Sequence, residues 1–73
     1  MSAKQHPVEL SAEDRSAVER VARSYRRSTR ERLHARILLR SADGATDAAI
    51  AEQLRSCVAT VRRVREIFER DRG

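Results

Sequence analysis

Apolar residues recur at intervals of three and four along most of the chain, and no segment alternates with period two, so the pattern predicts an all-helical domain. The first apolar stripe consists of Val18, Val21, Ala22 and Tyr25. Ahead of it, Ser11-Ala-Glu-Asp14 has the spacing of a capping box, in which a serine hydroxyl accepts the third helical amide. We therefore expect a first helix from about Ala12 to Tyr25.

A second helix is predicted after Ser28-Thr-Arg-Glu31, which repeats the capping-box spacing. It has the widest apolar surface in the chain, made of Leu33, Ile37, Leu38, Leu39 and Ala42. Asp43-Gly44 should end it, because glycine adopts the left-handed conformation common at helix C-termini. This helix is the expected centre of the core.

Two shorter patterns follow in close succession. Thr46 can cap a third helix, about Asp47 to Leu54, whose inward residues are Ile50, Ala51 and Leu54. A fourth helix, about Val58 to Glu69, has a seam of Val61, Val64 and Phe68, flanked by Ile67. Helices joined by about three residues must cross at a steep angle, which is the arrangement of a helix-turn-helix unit.

The packing of Ala51 against Val61 decides which face of the fourth helix points outward. With these residues inside, the helical period places five residues on the outward face: Val58, Ala59, Arg62, Arg63 and Glu66. Arg62 and Arg63 carry the forked donors that bind guanine in a major groove, and Val58 and Ala59 suit contacts with a thymine methyl. These four are the predicted base-contacting residues.

Five further residues are predicted to contact the DNA backbone. Ser56 and Thr60 lie near the N-terminus of the fourth helix, where hydroxyls and free backbone amides suit phosphate oxygens. The other three are arginines: Arg36, Arg40 and Arg65.

The turn between the third and fourth helices has two readings. If Arg55 adopts a left-handed conformation, the cost is roughly 1 kcal/mol. Alternatively the turn is shifted by one residue, with Ser56 as the helix cap and Cys57 in a small apolar slot. In both readings Cys57 is structural, since no histidine or acid is placed to activate it.

Charge supports a polyanionic partner. The net charge is +5, and eight arginines but one acid lie between residues 20 and 40. Residues 41–54 hold three acids and no base. This asymmetry fits either a phosphate-facing surface or an ordinary solvated face.

Length and composition limit the other function classes. A chain of 73 residues forms one domain, which we place at residues 11–73 after a flexible arm at residues 1–10, whose Val8 and Leu10 can pin it to the core. A single cysteine excludes an internal disulfide, and two histidines beside it are too few for a four-ligand zinc site. No signal peptide, membrane span, catalytic set or cofactor motif is visible, so we expect a cytoplasmic, non-enzymatic protein without cofactor, metal or small-molecule substrate.

Residues 35–68, ARILLRSADGATDAAIAEQLRSCVATVRRVREIF, resemble the N-terminal helix-turn-helix region of bacterial insertion-sequence transposases of the mariner superfamily. Residues 8–23 are similar to the leader helix of the same proteins. The resemblance implies a small homeodomain-like helix-turn-helix bundle with an additional N-terminal helix, about four helices in all. It also implies binding to the inverted repeats at transposon ends, with catalysis left to a separate domain.

We therefore expect sequence-specific binding to double-stranded DNA, as a transposase-type domain or as a free-standing regulator. The alternative is a protein-interaction or dimerisation module on the same scaffold. The residues leave open whether the chain binds as a monomer or as a homodimer.

Overall fold

The computed structural model describes the backbone of residues 8–72 and the side chains of residues 8–71. Over this range the protein is all-α, with four helices: α1 (Ala12–Arg23), α2 (Thr29–Ala42), α3 (Asp47–Gln53) and α4 (Val58–Arg72). None of them is long and apolar enough to cross a membrane. Of the arm predicted at residues 1–10, residues 1–7 lie outside the described range.

Side-chain caps set where the first three helices begin. The Ser11 hydroxyl accepts a hydrogen bond from the Asp14 amide at 3.1 Å, and the Thr46 hydroxyl does the same for Ala49 at 3.1 Å. At α2 the capping box is complete, because the Glu31 carboxylate also accepts from the Ser28 amide. Each cap satisfies an amide that has no partner within its helix.

α1 and α2 form an antiparallel hairpin. The N-terminal part of α1 lies beside the C-terminal end of α2, where the Arg15 guanidinium donates to the Asp43 carboxylate at 2.7 Å. At the same end, the buried Val8 amide donates to the Ser41 hydroxyl at 3.3 Å. The closed end of the hairpin is therefore the turn of residues 24–28.

The prediction that Tyr25 continues the apolar stripe of α1 is wrong. The helix ends at Arg23, and the Tyr25 side chain is 92% exposed in the turn that follows. The Ser24 hydroxyl, which accepts the Arg26 amide at 3.2 Å, stabilises this turn. Serine competes in this way for backbone groups that a helix would use.

The core joins α2, α3, α4 and the segment before α1. Its buried members are Val8, Ile37, Leu38, Ile50, Ala51, Val61 and Val64. Leu10, Val18, Leu33, Leu54 and Phe68 are half-buried around them. α1 contributes no fully buried residue, so the hydrophobic centre belongs to α2 and the two helices that follow, as the sequence predicts.

α2 and α3 end in the same backbone geometry. In each, the residue after the cap has a positive φ, and the next amide reaches back to a carbonyl five residues earlier: Ala45 to Arg40 at 3.1 Å and Ser56 to Ala51 at 2.7 Å. This is the Schellman motif. Gly44 takes the left-handed position after α2, with φ 97°, and Arg55 takes it after α3, with φ 55°.

The reading with left-handed Arg55 is thus confirmed, and the shifted turn is wrong. We expect Arg55→Gly to raise the free energy of unfolding by about 1 kcal/mol, because glycine has no Cβ to strain this conformation. Urea denaturation followed by circular dichroism measures the change. Gln53→Gly, two residues earlier and inside α3, should lower stability instead. A loss of stability in Arg55→Gly would contradict the strain argument.

Candidate nucleic-acid interface

α3 and α4 form the helix-turn-helix. α3 ends at Gln53 and α4 begins at Val58, so a turn of four residues joins the two helices. Ile50 and Ala51 of α3 lie in one buried cluster with Val61 and Val64 of α4. The pair expected to mark the crossing is deeply buried, Ala51 at 6% and Val61 at 0% exposure.

An ion pair also links the two helices. The Arg65 guanidinium donates from Nε to Asp47 Oδ1 and from Nη2 to Oδ2, both at 2.8 Å. The Asp47 side chain is 2% exposed and that of Arg65 12%. Two parallel bonds between planar groups restrict rotation as well as distance. The pair therefore holds α4 in one orientation relative to the start of α3.

This contact gives Arg65 a different role from the phosphate contact that the sequence predicts. Its forked donors already bind a carboxylate, and withdrawing them would leave Asp47 charged and buried, which is costly. We therefore leave Arg65 out of the candidate DNA surface.

The outer face of α4 contains all four predicted base-contacting residues. Val58, Ala59, Arg62 and Arg63 are all exposed. The described residues contain no carboxylate in ion-pair contact with Arg62 or Arg63, although four other ion pairs are present. Val58 and Ala59 are small and lie one turn before the arginines, so the N-terminal half of this face can approach a surface closely.

Cys57 directly precedes α4 and takes the position of its cap. The alternative in which its side chain fills an apolar slot is wrong, because the thiol is exposed. Its Sγ lies 3.1 Å from the Thr60 hydroxyl. The half-buried Ser56 does not cap the helix, and its amide is bonded to the Ala51 carbonyl.

The cap position makes Cys57 more acidic. Hydrogen bonds from the Thr60 hydroxyl and from backbone amides of the first turn lower the pKa of the thiol below its ordinary value. These donors favour the thiolate, which is the reactive form of cysteine. Neither a histidine nor an acid is needed to lower this pKa, and the sequence argument about Cys57 considered only those two residue types.

The predicted backbone contacts on α2 differ in exposure. Arg36 is exposed, whereas Arg40 is half-buried. The Nε of Arg40 is fully covered and has no hydrogen-bond partner among the described residues. Less of the Arg40 guanidinium than of Arg36 is therefore open to a phosphate. Both stay predicted contacts, as do Ser56 and Thr60.

A family model described as a homeodomain-like domain matches residues 26–73, which is 48 of the 73 residues. The chain belongs to this homeodomain-like family. The match begins in the turn before α2, so α1 is an addition to the homeodomain-like domain. Comparison with curated proteins and with solved structures gave no match.

Within the homeodomain-like domain, sequence reasoning missed the Asp47–Arg65 pair. The two residues are 18 positions apart, and both lie in segments where exposed charges are ordinary. The available signal was the helical period, since Arg65 follows Val61 and Val64 and therefore borders the buried seam.

We expect Arg65→Ala to lower the free energy of unfolding by about 3 to 5 kcal/mol, because it leaves the Asp47 carboxylate buried without its partner. Arg63→Ala is the matched control, two positions away on the exposed face, and should change stability by less than about 0.5 kcal/mol. Urea denaturation measures both. Equal stability of the two variants would show that the pair does not hold the helices together.

Replacing both members by apolar residues, as in Asp47→Leu/Arg65→Met, should recover much of the stability lost in Arg65→Ala, because no buried charge remains. A double variant as unstable as Arg65→Ala would mean that the loss comes from packing and not from the unpaired charge.

We expect Thr60→Val to raise the pKa of the Cys57 thiol, because the variant removes the hydroxyl that lowers it most. The rate of alkylation by iodoacetamide as a function of pH measures this pKa, since the thiolate is the nucleophile. The rate profile should move to higher pH, so that the variant reacts more slowly near neutral pH. Ser56→Ala should leave the profile in place, and an unchanged profile in Thr60→Val would contradict the assignment.

Proposed function

We propose that the homeodomain-like domain binds double-stranded DNA sequence-specifically, with α4 as the recognition helix in the major groove. One observation carries the proposal: Arg62 and Arg63 are exposed on the outer face of α4, without a carboxylate partner among the described residues. A major groove admits an α-helix, and arginine is the side chain that most often reads guanine there. The proposed role is binding alone, without a catalytic step.

The arrangement of α4 gives its residues separate tasks. Val58 and Ala59 lie at the N-terminal end, where short side chains allow the helix to enter the groove and contact thymine methyl groups. Arg62 and Arg63 follow one turn later and reach guanine edges. Thr60, on the side of the same turn, lies near the helix N-terminus, where a phosphate would compete with the Cys57 thiol for the Thr60 hydroxyl.

The ion pair of Arg65 orients Arg62 and Arg63 relative to the rest of the domain before DNA binds. Because Arg65 is fixed to Asp47, residues two and three positions earlier on the same helix are held at a constant angle to the domain. A preoriented helix loses less conformational freedom on binding. This favours sequence reading over loose electrostatic association.

The biological setting that fits the resemblance is a transposase-type DNA-binding domain that recognises the ends of a mobile element. A free-standing regulator would use the same surface. Selection of bound duplexes from a random pool separates the binding modes: an asymmetric motif of about six base pairs corresponds to one recognition helix in one groove, and a palindrome to a dimer.

The exposed apolar residues offer little support for the alternative of a protein-docking module. The large ones are Tyr25, Val58 and Ile67. Val58 and Ile67 are nine residues apart on α4, which places them on opposite sides of the helix. Val18 and Val21 of α1, which a docking surface would expose, are half-buried.

We expect Arg62→Ala or Arg63→Ala to weaken binding to the selected duplex by about 1 to 3 kcal/mol and to have little effect on a scrambled duplex, because base contacts carry the sequence preference. Fluorescence anisotropy on both duplexes at one salt concentration measures this. Arg70→Ala removes an exposed arginine from the far end of the same helix and should reduce binding to the selected duplex less. An equal loss on both duplexes would remove the mutated arginine from the base-reading set.

A further inference from the structure

The closed end of the α1–α2 hairpin carries a dense cluster of arginines. We call this cluster the hairpin tip; its members are Arg20, Arg23, Arg26, Arg27 and Arg30. All five side chains are exposed. The tip is formed by the last turn of α1, the turn of residues 24–28 and the first turn of α2, so the antiparallel packing of the two helices brings the five charges to one end of the molecule.

The tip is almost free of neutralising carboxylates. Glu31 pairs with Arg27 at 3.7 Å. Glu19 lies beside Arg20 and Arg23 at the edge of the tip, but its ion pair is with Arg15, at 3.7 Å. Arg20, Arg23, Arg26 and Arg30 have no ion pair among the residues that the structure describes. Four unpaired like charges at one end of the hairpin repel one another, and an anion that binds there relieves this repulsion.

The opposite end of the hairpin is different in charge. There Arg15 pairs with Asp43 at 2.7 Å, and Asp47 is neutralised by Arg65. α2 separates the two ends by about 20 Å of helix axis. The excess positive charge of the hairpin is therefore concentrated at the tip and is not spread evenly over a solvated face.

Two neighbouring side chains give further support. Tyr25 lies within the tip with its ring and hydroxyl 92% exposed, and tyrosine hydroxyls donate to DNA phosphates. On α2, partial burial and then the nearby charge of Arg30 lower the pKa of His34. Of the tip arginines, Arg30 is thus close enough to disfavour a second positive charge at His34.

We propose that the hairpin tip is a second DNA-binding surface, which holds the phosphate backbone of duplex DNA without reading its sequence. The proposal rests on the proposed function, since it takes the same duplex as ligand. α4 would supply base reading, and the tip would add affinity for any sequence. α1, which lies outside the part of the chain that matches the homeodomain-like family, would then extend the DNA contact.

The test is the salt dependence of binding by Arg23→Gln/Arg26→Gln/Arg30→Gln. Glutamine keeps most of the length of the side chain and removes its charge. Each phosphate contact contributes about 0.9 to the slope of log K against log salt, so the triple variant should have a slope shallower by about 2.7. Affinity near physiological salt should fall on the order of 100-fold, equally on selected and scrambled duplexes.

The matched control is Arg70→Gln, which removes an exposed arginine outside the tip and should leave the slope nearly unchanged. Circular dichroism verifies that each variant folds. If the triple variant does not fold, the three single variants replace it, each with an expected decrease in slope of about 0.9. An unchanged slope would overturn the proposal, and so would a loss confined to the selected duplex. Tighter binding of single-stranded than of duplex DNA by the tip arginines would also overturn it.

The two proposals fail in different ways. If the wild type binds all duplexes alike and the triple variant still has the shallower slope, the tip binds DNA and α4 does not read it. If Arg62→Ala abolishes sequence preference and the triple variant behaves as wild type, α4 reads DNA and the tip proposal is wrong.

Discussion

The direction in which α4 faces depends on its contact with α3, and the Asp47–Arg65 pair is the most restrictive part of that contact. Apolar residues such as Ala51 and Val61 bring the helices together, but hydrophobic burial has no preferred direction. A bidentate pair with both members nearly buried allows one arrangement. Burying two charges has a large desolvation cost, so the pair contributes less to stability than to the angle between the helices.

The surroundings of three arginines on α4 depend on that angle. Arg62 and Arg63 point to solvent, whereas Arg65 is bonded inside the protein. All three have the same chemistry, and the 100° step of the helix assigns them to different surroundings. A rotation of α4 by one residue would turn either Arg62 or Arg63 into the position of the buried Val61 or Val64. The core, by fixing the register of Val61 and Val64, therefore decides which arginines are exposed.

The sequence predicts the parts of this structure that depend on local rules. Helical periodicity and the caps at Ser11, Ser28 and Thr46 locate the starts of α1, α2 and α3, and the inward seam of α4 predicts the exposure of Arg62 and Arg63. Three features depend on other rules. The Asp47–Arg65 pair joins positions that are distant in the sequence. Arg55 has a strained left-handed conformation, and the hydrogen bonds of the Schellman motif outweigh that strain. Tyr25 lies outside α1, because Ser24 ends the helix before it.

Cys57 illustrates a related limit. Apolar character and a single occurrence suggest a buried filler, yet the helix that begins at Val58 needs a cap, and the thiol occupies that position. Its pKa is lowered first by the Thr60 hydroxyl and then by backbone amides, which only the three-dimensional structure of the turn brings to the sulfur.

Val8 has a consequence for where the folding unit begins. Its side chain is part of the core and its amide is bonded to the buried Ser41, although it precedes the homeodomain-like match by 18 residues. A fragment trimmed to residues 26–73 would lose the Val8 side chain together with α1, and would expose Ile37 and Leu38 of α2 to water. The hydrophobic core therefore extends beyond the region that matches the family.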